Sequence, residues 1–144
     1  MEPNFHYQIM AAHTDLQKKV LARLRKEGLT AGQPKVLDYL IEHNGANQKS
    51  IAFGCHMEPA SASSVLAGME QSGLICRRAE QGDRRSLRVY LTALGEEKAK
   101  TVQQVFAQLE EQALGGLDSK QRQELIGLLV RVAENLRDMK GEAE

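Results

Sequence analysis

Apolar residues recur at spacings of three and four from Phe5 through Ile9, Ala12, Leu16 and Val20 to Leu24, the period of an amphipathic helix. Lys18, Lys19, Arg23 and Arg25 occupy other positions of that stretch, and Gly28 stops it. Thr30 and Gln33 have the S/T-x-x-E/Q spacing of a capping box, which predicts a second helix through Val36, Leu37, Leu40 and Ile41. Pro34 falls in its first turn, where a missing N–H does least harm. The helix ends near His43-Asn44-Gly45. Asn47 is placed to cap a short third helix, Gln48 to about Gly54, with Ile51 and Ala52 inward. Pro59 suits the first position of a fourth, whose stripe is Val65, Leu66 and Met69 and whose end is Ser72-Gly73.

The period then changes. Leu74 to Arg78 suits a strand, and Leu87, Val89 and Leu91 alternate with Arg88 and Tyr90 as a half-buried strand does. Between them Ala79 to Ser86 is polar with one glycine, predicting a hairpin whose tip carries Arg84 and Arg85. Thr92 can cap a long helix with Ala99, Val102, Val105, Phe106, Leu109 and Ala113 on one face, broken at Gly115-Gly116. Asp118 can cap a last helix striped by Leu125, Leu128, Leu129, Val132, Leu136 and Met139. Four helices, a hairpin and two helices make a mainly α chain with a small β-hairpin (α+β). Two short helices on a tight turn, followed by a hairpin, describe a winged helix-turn-helix. The first and last helices carry more apolar surface than that unit can cover, so they pack together or against a second subunit, and a homodimer fits. The reading is one domain over residues 1–144, the winged part at about 30–92 and dimerisation helices at about 4–28 and 93–140.

At 144 residues the chain has the length of one domain. Its 42% hydrophobic and 26% charged residues exclude disorder and fibrous repeats. No apolar run reaches the roughly 18 residues of a membrane span, the N-terminus has no signal-peptide pattern, and two cysteines make no disulfide framework. The reading is a cytoplasmic protein with no membrane association. Nineteen basic residues balance nineteen acidic ones, so net charge is silent about partners. Its distribution is not. Leu74 to Thr92 holds Arg77, Arg78, Arg84, Arg85 and Arg88 against only Glu80 and Asp83, whereas Thr30 to Ser72 is acidic on balance.

Leu29-Thr30-x-x-Gln33-x-x-Val36-Leu37, Gly73-Leu74-Ile75-x-Arg77, Asp83-x-Arg85 and Val89-x-Leu91-Thr92-x-x-Gly95, in that order, resemble the MarR family of bacterial transcription regulators. Leu117-Asp118 with Leu125, Leu128, Leu129 and Leu136 is similar to its closing helix, so the resemblance covers nearly the whole chain. It implies a homodimer held by its terminal helices that binds a pseudo-palindromic operator in double-stranded DNA and usually represses. It also implies release by a small ligand, aromatic or otherwise hydrophobic, bound between dimerisation helices and winged domain.

Under that resemblance Ala60 to Met69 is the recognition helix, with Ser61, Ser63 and Ser64 near its N-terminal end, where side chains reach base edges. The helix departs from the family pattern: no Lys or Arg lies between Glu58 and Gln71, whereas members commonly carry basic residues at the places of Ser64 and Gly68. The hairpin then supplies the charge. Arg85 is the candidate for a narrow A·T-rich minor groove, Asp83 for holding its guanidinium, and Arg84 for a phosphate. Arg77 and Arg78 project to opposite faces, and the resemblance favours Arg77 for DNA. Lys49 and Arg88 are further phosphate candidates.

Other chemistry is thinner. Cys55 falls where the helix-turn-helix needs an apolar residue, and Cys76 lies in an apolar strand; a thiol-switched regulator would use one of them. His6, His13, His43 and His56 lack metal-site spacing, and no metal or cofactor is implied. Tyr7, Tyr39 and Phe53 suit core or cleft walls. No nucleophile elbow, P-loop or dinucleotide fingerprint occurs, so the reading is not an enzyme. The alternative from another class is a winged-helix protein-interaction module without DNA binding, motivated by a recognition helix that has no Lys or Arg and an acidic cap, Glu58.

Overall fold

The computed structural model describes residues 2–80 and 83–139, with the backbone alone for residues 83–86. The chain divides into two compact units, Met1–Leu109 and Glu110–Glu144. The first unit begins with α1 (Phe5–Leu24), capped by Asn4 through Oδ1, which accepts from the Tyr7 N–H at 2.8 Å. A single 3-10 turn (Arg25–Glu27) follows, ending on Gly28 at φ +78°. Then come α2 (Gln33–Glu42), β1 (Ala46–Asn47), α3 (Gln48–Gly54), α4 (Pro59–Gln71), β2 (Ile75–Glu80), β3 (Asp83–Leu91) and α5 (Ala93–Ala113).

The six helices and the hairpin fall in the predicted order, and two local details differ. Thr30 does not cap α2: the helix starts at Gln33, with Gly32 as cap at φ +85°. Half of the box survives, since Gln33 Oε1 accepts from the Thr30 N–H at 3.1 Å. Only glycine suits this cap, since its φ is positive and a Cβ would come within 2.8 Å of Val65 Cγ2. The hairpin also differs. Its strands reach Glu80 and start again at Asp83, so Arg84 and Arg85 belong to β3 and not to an eight-residue turn. Antiparallel pairing runs from Ile75 with Leu91 to Ala79 with Leu87, and a register shift at Ala79/Glu80 brings Glu80 opposite Asp83. A third strand joins this pair, since β1 lies beside β3 with Ala46 opposite Val89, giving the order β1-β3-β2.

The core gathers one face of each α-helix of this unit and of the sheet: Leu24 from α1, Val36, Leu37 and Leu40 from α2, Ile51 from α3, Leu66 and Met69 from α4, Ile75 and Val89 from the sheet, Ala99 and Val102 from α5. Each buried Leu or Ile contributes about 1.5–3 kcal/mol. Thr92 caps α5, accepting from the Gly95 N–H at 3.0 Å while its hydroxyl donates to Gly73 O. Gly95 is the tightest point, since a Cβ there would lie 1.9 Å from Leu74 O, a backbone atom that cannot swing away. Gly95→Ala is therefore expected to cost about 3 kcal/mol or more. A urea midpoint shifted down at unchanged slope would show it; an unchanged midpoint would mean that α5 packs elsewhere.

The second unit contains the end of α5 and α6 (Ser119–Asp138). Asp118 caps α6 as the sequence indicates, in a full capping box with Gln121 at 2.8 and 2.9 Å. Arg122 fixes the turn, pairing with both Glu111 oxygens at 2.9 and 3.2 Å and donating to Leu114 O and Leu117 O. No side chain of α6 is buried. Its predicted stripe stands open, with Leu128 66%, Leu129 46% and Leu136 54% exposed. Most of α1 is similar: Phe5, Ile9 and Leu16 are exposed, and the buried residues are Val20 and Leu24. Among the described residues no helix is long and apolar enough to cross a membrane.

Candidate nucleic-acid interface

Pro59 sets the start of α4, and Glu58 occupies the cap position without making a side-chain capping bond. One face of the helix, Ala62, Leu66 and Met69, is buried. That burial turns Ser61, Ser63 and Ser64 to the surface, together with Ala60 and Ala67. The outward surface of the first three turns is thus hydroxyl and methyl, without formal charge. Lys49, on the first turn of α3, is exposed too. Asn47 fixes that turn, its Oδ1 accepting from the Ser50 N–H at 2.8 Å.

The arginines of the sheet divide by strand parity. Arg77 shares a face with Ile75, opposite Val89, and both of those are buried. Its head reaches back to the helices: Nη1 donates to Gln48 Oε1 at 3.3 Å and Nε lies 3.8 Å from Glu70 Oε1. Arg78, on the other face, is exposed and lies over the Tyr90 ring at 4.8 Å from its centroid. Arg88 is held from two sides, by Glu80 at 3.1 Å and by Gly45 O at 3.2 Å, so it clips β3 to the segment before β1. Asn44 closes the same corner, its Oδ1 accepting from the Leu91 N–H at 2.8 Å. The side chains of Asp83, Arg84 and Arg85 lie outside the described residues; their backbone belongs to β3.

The remaining candidates separate. Tyr39 is half-buried, stacks on His43 at 4.3 Å and packs against the core, whereas Tyr7 and Phe53 are exposed and are not core walls. Cys55 is buried, with its thiol donating to Lys35 O at 3.5 Å. Burial pushes its pKa up to about 11, against a smaller lowering by the Lys35 charge. Little reactive thiolate exists at neutral pH, which removes the chemical basis of a switch at Cys55. The raised value also has a thermodynamic consequence. An unfolded Cys55 gives up its proton near pH 9 and the folded one near 11, so the fold is expected to lose stability as pH rises through that window. Cys55→Ala would remove this loss; denaturant midpoints equally pH-dependent in both proteins would show that Cys55 is not its source. Among the described residues, no group of three His, Cys, Asp or Glu side chains is set to hold a metal ion.

Sequence reasoning missed Gln48, Glu70 and Asn44 as parts of this surface. Gln48 and Arg77 are 29 positions apart, and no spacing rule links them. The comparisons with known proteins agree with this geometry. Residues 29–87 match the model of the MarR family, the span from Leu29 to β3. The transcriptional regulator HosA of Escherichia coli is 32% identical over 74% of this chain and 78% of its own. The HTH-type transcriptional regulator BilQ of Clostridium symbiosum is 24% identical over 93% of each chain. In structure, the transcriptional repressor CouR, bound to a 23-mer DNA duplex, superposes with a TM-score of 0.81 at 25% identity, covering 90% of this chain and 92% of that one.

Proposed function

Because this chain belongs to the MarR family, we propose that it is a homodimeric, sequence-specific regulator of transcription that binds a pseudo-palindromic operator in double-stranded DNA and represses from it. The observation that carries the proposal is the pairing of an outward α4 with an arginine-rich hairpin directly after it in the chain. A helix of that kind enters the major groove and a basic hairpin follows the adjacent backbone or minor groove. Ser61, Ser63 and Ser64 are the base-edge candidates, Lys49 and Arg84 take phosphates, and Arg85, oriented by Asp83, enters the minor groove. The protein acts in the cytoplasm and is not an enzyme. Relief of repression by a small aromatic or other hydrophobic ligand is proposed on family membership alone.

Two exposed apolar stripes support the dimer. An isolated chain would leave Phe5, Ile9 and Leu16 of α1, and Leu128, Leu129 and Leu136 of α6, in water. A second copy of the chain can cover them, and two copies bring two recognition helices to two half-sites.

Selection from random duplexes tests the reading. Enriched sequences are expected to contain an inverted repeat whose half-site centres lie about 10 base pairs apart, or a multiple of that. A pool that stays featureless through successive rounds would contradict it and favour a protein-interaction module.

A further inference from the structure

Arg77 has an unusual position for a residue that the resemblance assigns to DNA. Its stem lies on the face of β2 that also carries the buried Ile75, and its guanidinium meets both ends of the helix-turn-helix. Gln48, its partner at 3.3 Å, is the first residue of α3. Glu70, its partner at 3.8 Å, lies in the last turn of α4. Nε is shut off from water and has no hydrogen-bond partner among the described residues. The side chain as a whole is only 20% exposed, so the carboxylate of Glu70 supplies the compensating charge for a cation withdrawn from solvent. A planar fork can hold two partners at a fixed angle, and a lysine's single ammonium cannot.

We propose that Arg77 is a positioning residue, resting on the DNA-binding reading above: it locks the hairpin to the two ends of the helix-turn-helix so that α4 and β2–β3 meet one duplex as a rigid pair. Its guanidinium is committed inside the protein and does not serve as a phosphate contact. Glu70 belongs to the same device. Although it puts a negative charge on the recognition helix, it assists binding by holding Arg77.

This assignment makes predictions opposite to those of charge alone. For a phosphate contact, Arg77→Lys retains most of the affinity, because lysine binds phosphate well as a point charge. For a positioning fork, Arg77→Lys fails nearly as badly as Arg77→Ala. By simple electrostatics, Glu70→Gln tightens binding by removing an acid near DNA. As the loss of Arg77's counter-charge, it weakens binding.

The test measures affinity of the full chain for the inverted-repeat duplex obtained by selection, at one fixed salt concentration. Arg77→Lys and Arg77→Ala are each expected to weaken binding roughly tenfold, and Glu70→Gln by several fold. The double variant Arg77→Ala with Glu70→Gln should be no weaker than Arg77→Ala alone, because both changes break one device. Amide exchange in the DNA-free protein supplies a second reading: β2 and β3 should exchange faster in both Arg77 variants while α2 keeps its protection. Near-wild-type binding by Arg77→Lys, tighter binding by Glu70→Gln, or additive losses would each overturn the proposal. A wild-type chain that binds no duplex would instead defeat the DNA-binding reading itself, and this assignment with it.

Discussion

Replacing Leu129 by Glu is expected to leave the chain monomeric and to cut its affinity for an inverted-repeat duplex about a hundredfold or more. Leu129 is 46% exposed on α6 and takes no part in the core of the first unit, so the substitution leaves that core intact. It belongs to one helical stripe with Leu125, Leu128, Val132 and Leu136. A carboxylate placed in a dry interface either forces the interface apart or must be protonated to stay, at a cost of several kcal/mol. A monomer then meets one half-site at a time and forfeits the roughly 10²–10⁴ gain of joined binding modules. Sedimentation and anisotropy on one preparation would check both halves. A variant that remains dimeric and binds as before would place the dimer contact elsewhere; a monomer that binds unchanged would detach DNA recognition from dimerisation.

Arg85→Ala carries the next largest effect. The arginines that follow α4 are the main compensation for its lack of Lys and Arg, and Arg85 stands two residues after Asp83 on β3. A guanidinium in a narrow A·T-rich minor groove gains from its concentrated negative potential, and loss of such a contact costs about 1–3 kcal/mol. Affinity should fall about tenfold to a hundredfold, more on half-sites flanked by A·T pairs than on G·C-flanked ones. The salt dependence should become shallower at the same time, because one cation fewer is engaged at each half-site. Equal losses on both kinds of flank would leave Arg85 a phosphate contact; no loss on either would remove it from the interface.

The helical part of this fold can be read from the sequence because each helix carries its own local signals. Asn47 and Asp118 cap the helices they precede, Pro59 opens α4, and Gly28 ends the first helical segment. The sheet could be read only where apolar alternation marks it, from Leu87 to Leu91. Asp83 to Ser86 belongs to the same strand, and its polar residues leave no period-two trace of that. β1 is two residues long and exists because Val89 and Arg88 of β3 lie opposite it, a contact more than 40 positions away in the chain. Thr30 has the spacing of a cap, but the helix is capped by Gly32, whose positive φ and close approach to Val65 are not encoded in that spacing. The candidate interface follows the same division. Exposure of Ser61, Ser63 and Ser64 follows from the helical period of α4 once Ala62, Leu66 and Met69 are inward. That Arg77 turns back to Gln48 and Glu70 depends on how three separate elements meet, and no local pattern encodes it.

Under the proposed function, this chain binds duplex DNA through a few basic residues beside a recognition helix without Lys or Arg. The most direct test is fluorescence anisotropy of the wild-type protein on the selected inverted-repeat duplex and on an unrelated duplex, titrated at several salt concentrations. Lys49, Arg84 and Arg85 from each of two protomers offer about six cations, so log affinity should fall against log salt with a slope of roughly −5, and the selected duplex should bind more tightly throughout. Binding that ignores salt, or that does not distinguish the two duplexes at any salt concentration, would contradict the account.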